Sequence, residues 1–75
     1  MREGELAELY RNYGHLVLRR CRAILRSEIE AQDVLQDVFL RAMRYERSLN
    51  RADSKLGWLY RTSERCCFDR LSKRK

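Results

Sequence analysis

Residues Ser27 to Tyr45, SEIEAQDVLQDVFLRAMRY, decide the fold because they carry two side-chain stripes at helical spacing. One stripe is apolar and recurs at intervals of three and four: Ala31, Leu35, Val38, Phe39 and Ala42. The other is acidic and polar, with Asp33, Gln36 and Asp37 one turn apart, and Leu40 follows it on the next turn. A helix with these two stripes has one face for a core and one face for solvent or for a cationic partner.

The rest of the chain shows the same helical periodicity. Apolar spacing predicts helices over about 5–26, 28–46 and 55–73, with the stretch 47–53 as a loop. Ser27 with Glu30 forms a capping box at the start of the second helix, and Ser54 is a candidate cap for the last one. Gly14 costs a helix about 1 kcal/mol relative to alanine and allows a kink there. The predicted fold is all-α, a compact three-helix bundle.

Length and charge limit the possible classes of protein. Seventy-five residues form one domain, and no apolar run is long enough for a membrane span, so we expect a cytoplasmic protein without a membrane partner. The formal charge is +6, and it is concentrated at the end of the chain. Residues 51–75 hold eight basic and three acidic side chains, against nine and eight in residues 1–50. This skew favours contact with nucleic acid or another acidic surface.

The reactive side chains do not form a catalytic or metal-binding pattern. Cys21, Cys66 and Cys67 lack a metal-ligand spacing, and we expect them to be reduced packing residues. His15 is the single histidine, and no acidic residue near it suggests a triad. We therefore expect no enzyme activity, no metal and no cofactor, and we interpret the chain as a binding module.

Three motifs resemble region 2 of the sigma-70 family of transcription initiation factors, in particular the extracytoplasmic function group. Leu9 to Tyr13 (LYRNY) is similar to the LYRRY opening of that group's first helix. Ala31 to Leu40 (AQDVLQDVFL) resembles its A-x-D-x-x-Q-[DE]-x-F signature. Gly57 to Arg61 (GWLYR) and Asp69 to Leu71 (DRL) resemble its W-L-Y-R and D-x-L-R-R segments. Their order and spacing match over nearly the whole chain.

This resemblance implies two partners. The first is core RNA polymerase, whose largest subunit carries clamp helices that would meet Asp33, Gln36, Asp37 and Leu40. The second is promoter DNA, through the non-template strand of the −10 region, which the domain would bind and melt. The implied DNA-binding residues are Leu49, Asn50, Arg51, Lys55, Trp58, Arg61, Thr62, Arg65, Lys73 and Arg74. Tyr60 is interpreted as core rather than DNA contact, whereas either role is open for Trp58.

Two positions depart from the family pattern. Leu49 stands where relatives often place an aromatic against a flipped base, and Arg65 stands where they often have Asn. The resemblance also implies an anti-sigma partner and a C-terminal helix-turn-helix domain, so we expect a domain excised from a longer protein. Two alternatives stay open: a sigma-like protein-interaction module that melts no promoter, and a basic helical domain that binds duplex DNA.

Overall fold

The computed structural model describes residues 2–73 as four helices. They are α1 (Glu3–Leu25), α2 (Glu28–Arg44), α3 (Glu46–Arg51) and α4 (Lys55–Lys73). The all-α prediction is confirmed, and the three long helices are those predicted. The short α3 is an addition to the predicted three-helix bundle. No helix within the described residues is long and apolar enough to cross a membrane.

A tight turn joins α1 to α2. Arg26 adopts the left-handed conformation, with φ of 55°, and its backbone N–H donates to the carbonyl of Arg22. Ser27 then caps α2, since its Oγ accepts from the N–H of Glu30 at 3.3 Å, as the capping motif predicts. Glu28 accepts two hydrogen bonds from Arg22, at 2.5 and 2.7 Å. These contacts fix where α2 begins and therefore which of its faces meets α1.

The core lies between the three long helices. Leu35 and Phe39 are 2% and 5% exposed, so the prediction that they belong to the core is confirmed. All three cysteines are free and buried, as expected, and His15 is exposed. The largest of the other fully buried side chains are Val17, Val34, Val38, Leu49, Leu59 and Ser63.

Gly14 does not break the first helix, which runs continuously from Glu3 to Leu25. The ring of Tyr10 lies over this buried glycine, 3.4 Å from the position that a Cβ would take. Tyr10 also packs edge-on against Phe39 at a centroid distance of 5.1 Å. The tyrosine ring thus bridges the backbone of α1 at Gly14 and the side chain of Phe39 on α2.

The segment predicted as a loop forms α3 instead. Helix α2 ends at Arg44, two residues earlier than predicted, and Tyr45 lies between the two helices. Leu49 provides the reason for the added turn, because its side chain is 1% exposed and helical geometry turns it toward the core. Ser54 then caps α4 as predicted, since its Oγ accepts from the Gly57 N–H at 3.0 Å.

Candidate functional site

The polar stripe of α2 faces solvent. Asp33, Gln36 and Asp37 are exposed, and Leu40 is 57% exposed. The four residues lie within about two turns of α2 and on one face, opposite the buried stripe that contains Leu35. The structure therefore brings together on one open face all four residues that the resemblance implied for polymerase docking.

This surface extends further along α2 than the sequence prediction included. Ile29 is 80% exposed and Met43 is 46% exposed. Together they continue a spacing that alternates between four and three residues, which is the seam spacing of a coiled coil. We call this surface the docking stripe: Ile29, Asp33, Gln36, Leu40 and Met43, flanked by Asp37. The two added residues could have been found from that spacing.

Arg70 of α4 lies beside the acidic part of the docking stripe. One guanidinium nitrogen, Nη1, is 3.6 Å from Asp33 Oδ2, and Nη2 is 3.5 Å from Asp37 Oδ2. The two carboxylates are 60% and 50% exposed at their side chains, so both still face solvent. Contacts of this length and exposure contribute little to stability.

A second surface is concave and basic. A cleft of about 780 Å³ opens between the end of α2, α3 and the start of α4, and a neighbouring cavity of about 440 Å³ continues it along α4. Tyr45, Ser48, Trp58 and Arg61 line both. We call the combined surface the arginine cleft, after the six arginines that line it: Arg41, Arg44, Arg47, Arg51, Arg61 and Arg65.

Trp58 forms part of the wall of the arginine cleft. Its side chain is only 9% exposed, and its indole Nε1–H donates to Ser48 Oγ at 3.1 Å. The tryptophan therefore ties α3 to α4, and little of its ring is open to the cleft. Tyr60 is half-buried beneath the Arg20 guanidinium, 4.2 Å from the ring centroid, and Arg20 also pairs with Glu64.

The structure does not support the implied contact between Leu49 and DNA. A side chain that is 1% exposed cannot reach a base, because the turn of α3 directs it into the core. Its neighbours Asn50 and Arg51 are exposed. Tyr45 is instead the exposed aromatic at this end of the molecule, at 48% exposure, with the Arg44 guanidinium 5.6 Å from its ring centroid.

The other implied DNA-binding residues are divided among several places. Arg51, Arg61, Thr62 and Arg65 line the arginine cleft. Asn50 and Lys55 line a separate concavity that also contains Glu5 and Glu8, whose carboxylates oppose phosphate binding. Lys73 is exposed at the end of α4, and Arg74 lies outside the described residues.

Four cleft residues with side chains suited to nucleic-acid contact were not expected from the sequence, and they all come from the end of α2 and the start of α3. They are Arg41, Arg44, Tyr45 and Arg47. The arginines repeat every three residues around one tyrosine, which is a weak signal for nucleic-acid contact. Only the position of α4 shows that they form one wall of a cleft.

The buried cysteines have no reactive character. Burial raises the pKa of the Cys21 thiol to about 12, and burial also raises the pKa of Cys66 and Cys67. A thiol in that state is a poor nucleophile. Across residues 2–73 no group of three or more His, Cys, Asp or Glu side chains is placed to hold a metal ion.

Comparison with known proteins assigns the chain to a family. The family model of sigma-70 region 2 matches residues 9–75. No curated protein and no solved structure matches the chain. The matched range includes α2, α3 and α4 and most of α1, and so it contains both the docking stripe and the arginine cleft. The chain therefore belongs to the sigma-70 region 2 family, whose members bind RNA polymerase and recognise the −10 element of promoters.

Proposed function

We propose that this domain docks on the clamp helices of the largest RNA polymerase subunit through the docking stripe, and melts the −10 element by binding its non-template strand in the arginine cleft. This is the role of an extracytoplasmic function sigma factor acting in the cytoplasm. The observation that carries the proposal is the presence of two exposed surfaces of opposite charge, both of which use α2.

Docking is supported by the chemistry of the stripe. A partner coiled coil needs apolar side chains at its seam and charges beside them, and α2 offers Ile29, Leu40 and Met43 next to Asp33 and Asp37. Carboxylates one turn apart can accept charge-assisted hydrogen bonds from arginines of a partner helix. We expect an anti-sigma partner of this domain to cover the same stripe, because a protein bound to the docking stripe would block RNA polymerase from binding there.

Binding of an unpaired strand is supported by the arginine cleft. Six arginines line it, against the single carboxylate of Glu46, and their guanidinium groups can neutralise phosphates, which gives affinity without sequence preference. The exposed ring of Tyr45 can stack on a base, a contact that is available only when the base is unpaired. A surface with both features favours single-stranded DNA over duplex and so promotes melting.

The docking experiment measures binding of the domain to core RNA polymerase. The variant Asp33→Ala/Gln36→Ala/Asp37→Ala should lose binding while its melting temperature stays nearly unchanged, because all three side chains are exposed. A matched control, Glu3→Ala/Glu8→Ala/Asn12→Ala, makes the same chemical changes on the exposed face of α1 and should bind normally. Equal binding by the two variants would refute docking through this stripe.

The DNA experiment compares a single-stranded non-template −10 oligonucleotide with the corresponding duplex by fluorescence anisotropy. We expect tighter binding to the single strand and a steep fall in affinity with salt. Tyr45→Ala should weaken the single-strand complex by roughly 1–3 kcal/mol, the usual worth of a base stacked on an aromatic ring. Equal affinity for both DNA forms would favour the duplex-binding alternative.

A further inference from the structure

The carboxylates of α2 are held in two different ways. Both carboxylate oxygens of Glu28 accept hydrogen bonds from Arg22. This contact lowers the pKa of Glu28 to about 2. Asp33 and Asp37 instead face Arg70 at 3.6 and 3.5 Å, beyond the usual 2.7–3.2 Å range of an N–H···O hydrogen bond. Arg70 therefore pairs with Asp33 and Asp37 without forming a close hydrogen bond to either.

The fold does not depend on that contact. Helix α4 is already anchored by Leu59, Ser63 and Cys67, which are completely buried. The Arg70 side chain is 32% exposed and the two aspartates are more exposed still. An ion pair between such groups is largely screened by solvent, so it can be exchanged for another partner at little cost.

The charge of Arg70 acts against a second cation. The guanidinium spans two carboxylates that lie one turn apart and cancels half of their combined charge. An arginine from a partner helix that approaches the same oxygens also meets the positive charge of Arg70. The opposite effect, in which Arg70 orients the carboxylates for the partner, contributes little because aspartate side chains are short and these two already lie on a regular helix.

We infer that Arg70 competes with the cations of the docking partner for Asp33 and Asp37, and thereby lowers the affinity of docking and its dependence on salt. This inference rests on the proposed docking function. It assigns to α4 a role in the polymerase contact in addition to its part in the arginine cleft. The domain then prefers a partner with several cations, since a single lysine does not displace Arg70 from both carboxylates.

The test measures binding to core RNA polymerase by surface-immobilised kinetics at two salt concentrations. Arg70→Gln should bind roughly two- to fivefold more tightly than the wild type at about 0.05 M salt, and the gain should shrink at about 0.5 M. Arg70→Lys keeps the charge but lacks the planar guanidinium that spans two carboxylates. Its affinity should therefore lie between that of the wild type and that of Arg70→Gln. Arg19→Gln, on the exposed face of α1, removes the same charge elsewhere and should show no gain.

A double-mutant cycle separates the direct competition from a general effect of net charge. The Asp33→Asn background keeps Asp37 for docking. In that background, the increase in polymerase affinity caused by Arg70→Gln should fall by about half or more. Wild-type binding together with unchanged or weaker binding of Arg70→Gln overturns this inference alone. Absence of wild-type binding, with the domain folded, overturns the docking function as well.

Discussion

Leu49 offers the sharpest test of the structure, because its burial contradicts the DNA contact implied by the resemblance. At 1% exposure its side chain is part of the core beneath α3. Leu49→Ala removes three carbon groups, at about 0.8 kcal/mol for each buried group, or about 2.4 kcal/mol in transfer free energy. The cavity left behind adds to this, so we expect a total loss of about 3 kcal/mol.

That loss is large for a domain of this size, whose total stability is expected to be about 4–11 kcal/mol. It corresponds to a fall in melting temperature of about 12–24 °C. Thermal and urea unfolding followed by circular dichroism would measure it. The Trp58 fluorescence provides an independent probe, because Trp58 is hydrogen-bonded to Ser48, one residue from Leu49.

Leu40→Ala is the matched control for Leu49→Ala. The same atoms are removed from a leucine that is 57% exposed, so the free energy of unfolding should change by less than about 0.5 kcal/mol. A folded Leu49→Ala variant with the stability of the wild type and weaker DNA binding would refute the burial of Leu49. It would restore this residue to the DNA surface.

Three further predictions concern the rest of the fold. Gly14→Ala should raise the free energy of unfolding by about 0.5–1 kcal/mol, because alanine is the better helix former. The added Cβ would meet the Tyr10 ring at an ordinary contact distance of 3.4 Å. A lower melting temperature would show that the ring cannot accept the methyl group. The Arg22 contact lowers the pKa of Glu28 from 4.5 to about 2, so its stabilising effect is complete above about pH 4.5 and is lost as the pH falls toward 2. Glu28→Gln should therefore show a flatter dependence of melting temperature on acid pH, and an unchanged profile would contradict the ion pair. Burial raises the pKa of Cys21 to about 12 and so leaves far less thiolate at neutral pH. Iodoacetamide followed by site-resolved mass spectrometry should therefore find Cys21 nearly unlabelled in the native protein, and rapid labelling would disprove its burial.

The two faces of α2 could be predicted because helical periodicity is local information. Every core residue of its apolar stripe is buried, and the stripe of Asp33, Gln36, Asp37 and Leu40 is exposed. The caps at Ser27 and Ser54 could be predicted for the same reason, since each depends on hydrogen bonds within three residues. The family motifs also lie within single helices.

The segment from Glu46 to Arg51 could not be predicted in this way. Its polar residues are typical of a loop, and a helix of six residues is too short to show a period. What stabilises it is the insertion of Leu49 into a core built by other helices. That is a tertiary interaction, and it overrides the local preference.

By itself, therefore, the sequence determined the helices, the buried and exposed faces of α2 and the membership of the family. Only the tertiary structure decided that Leu49 is core, that Tyr45 and six arginines from α2, α3 and α4 surround one cleft, and that Arg70 lies against Asp33 and Asp37. The physical reason is distance along the chain. A helical face repeats every three or four residues, whereas the cleft and the Arg70 contact join side chains from separate helices that only packing brings together.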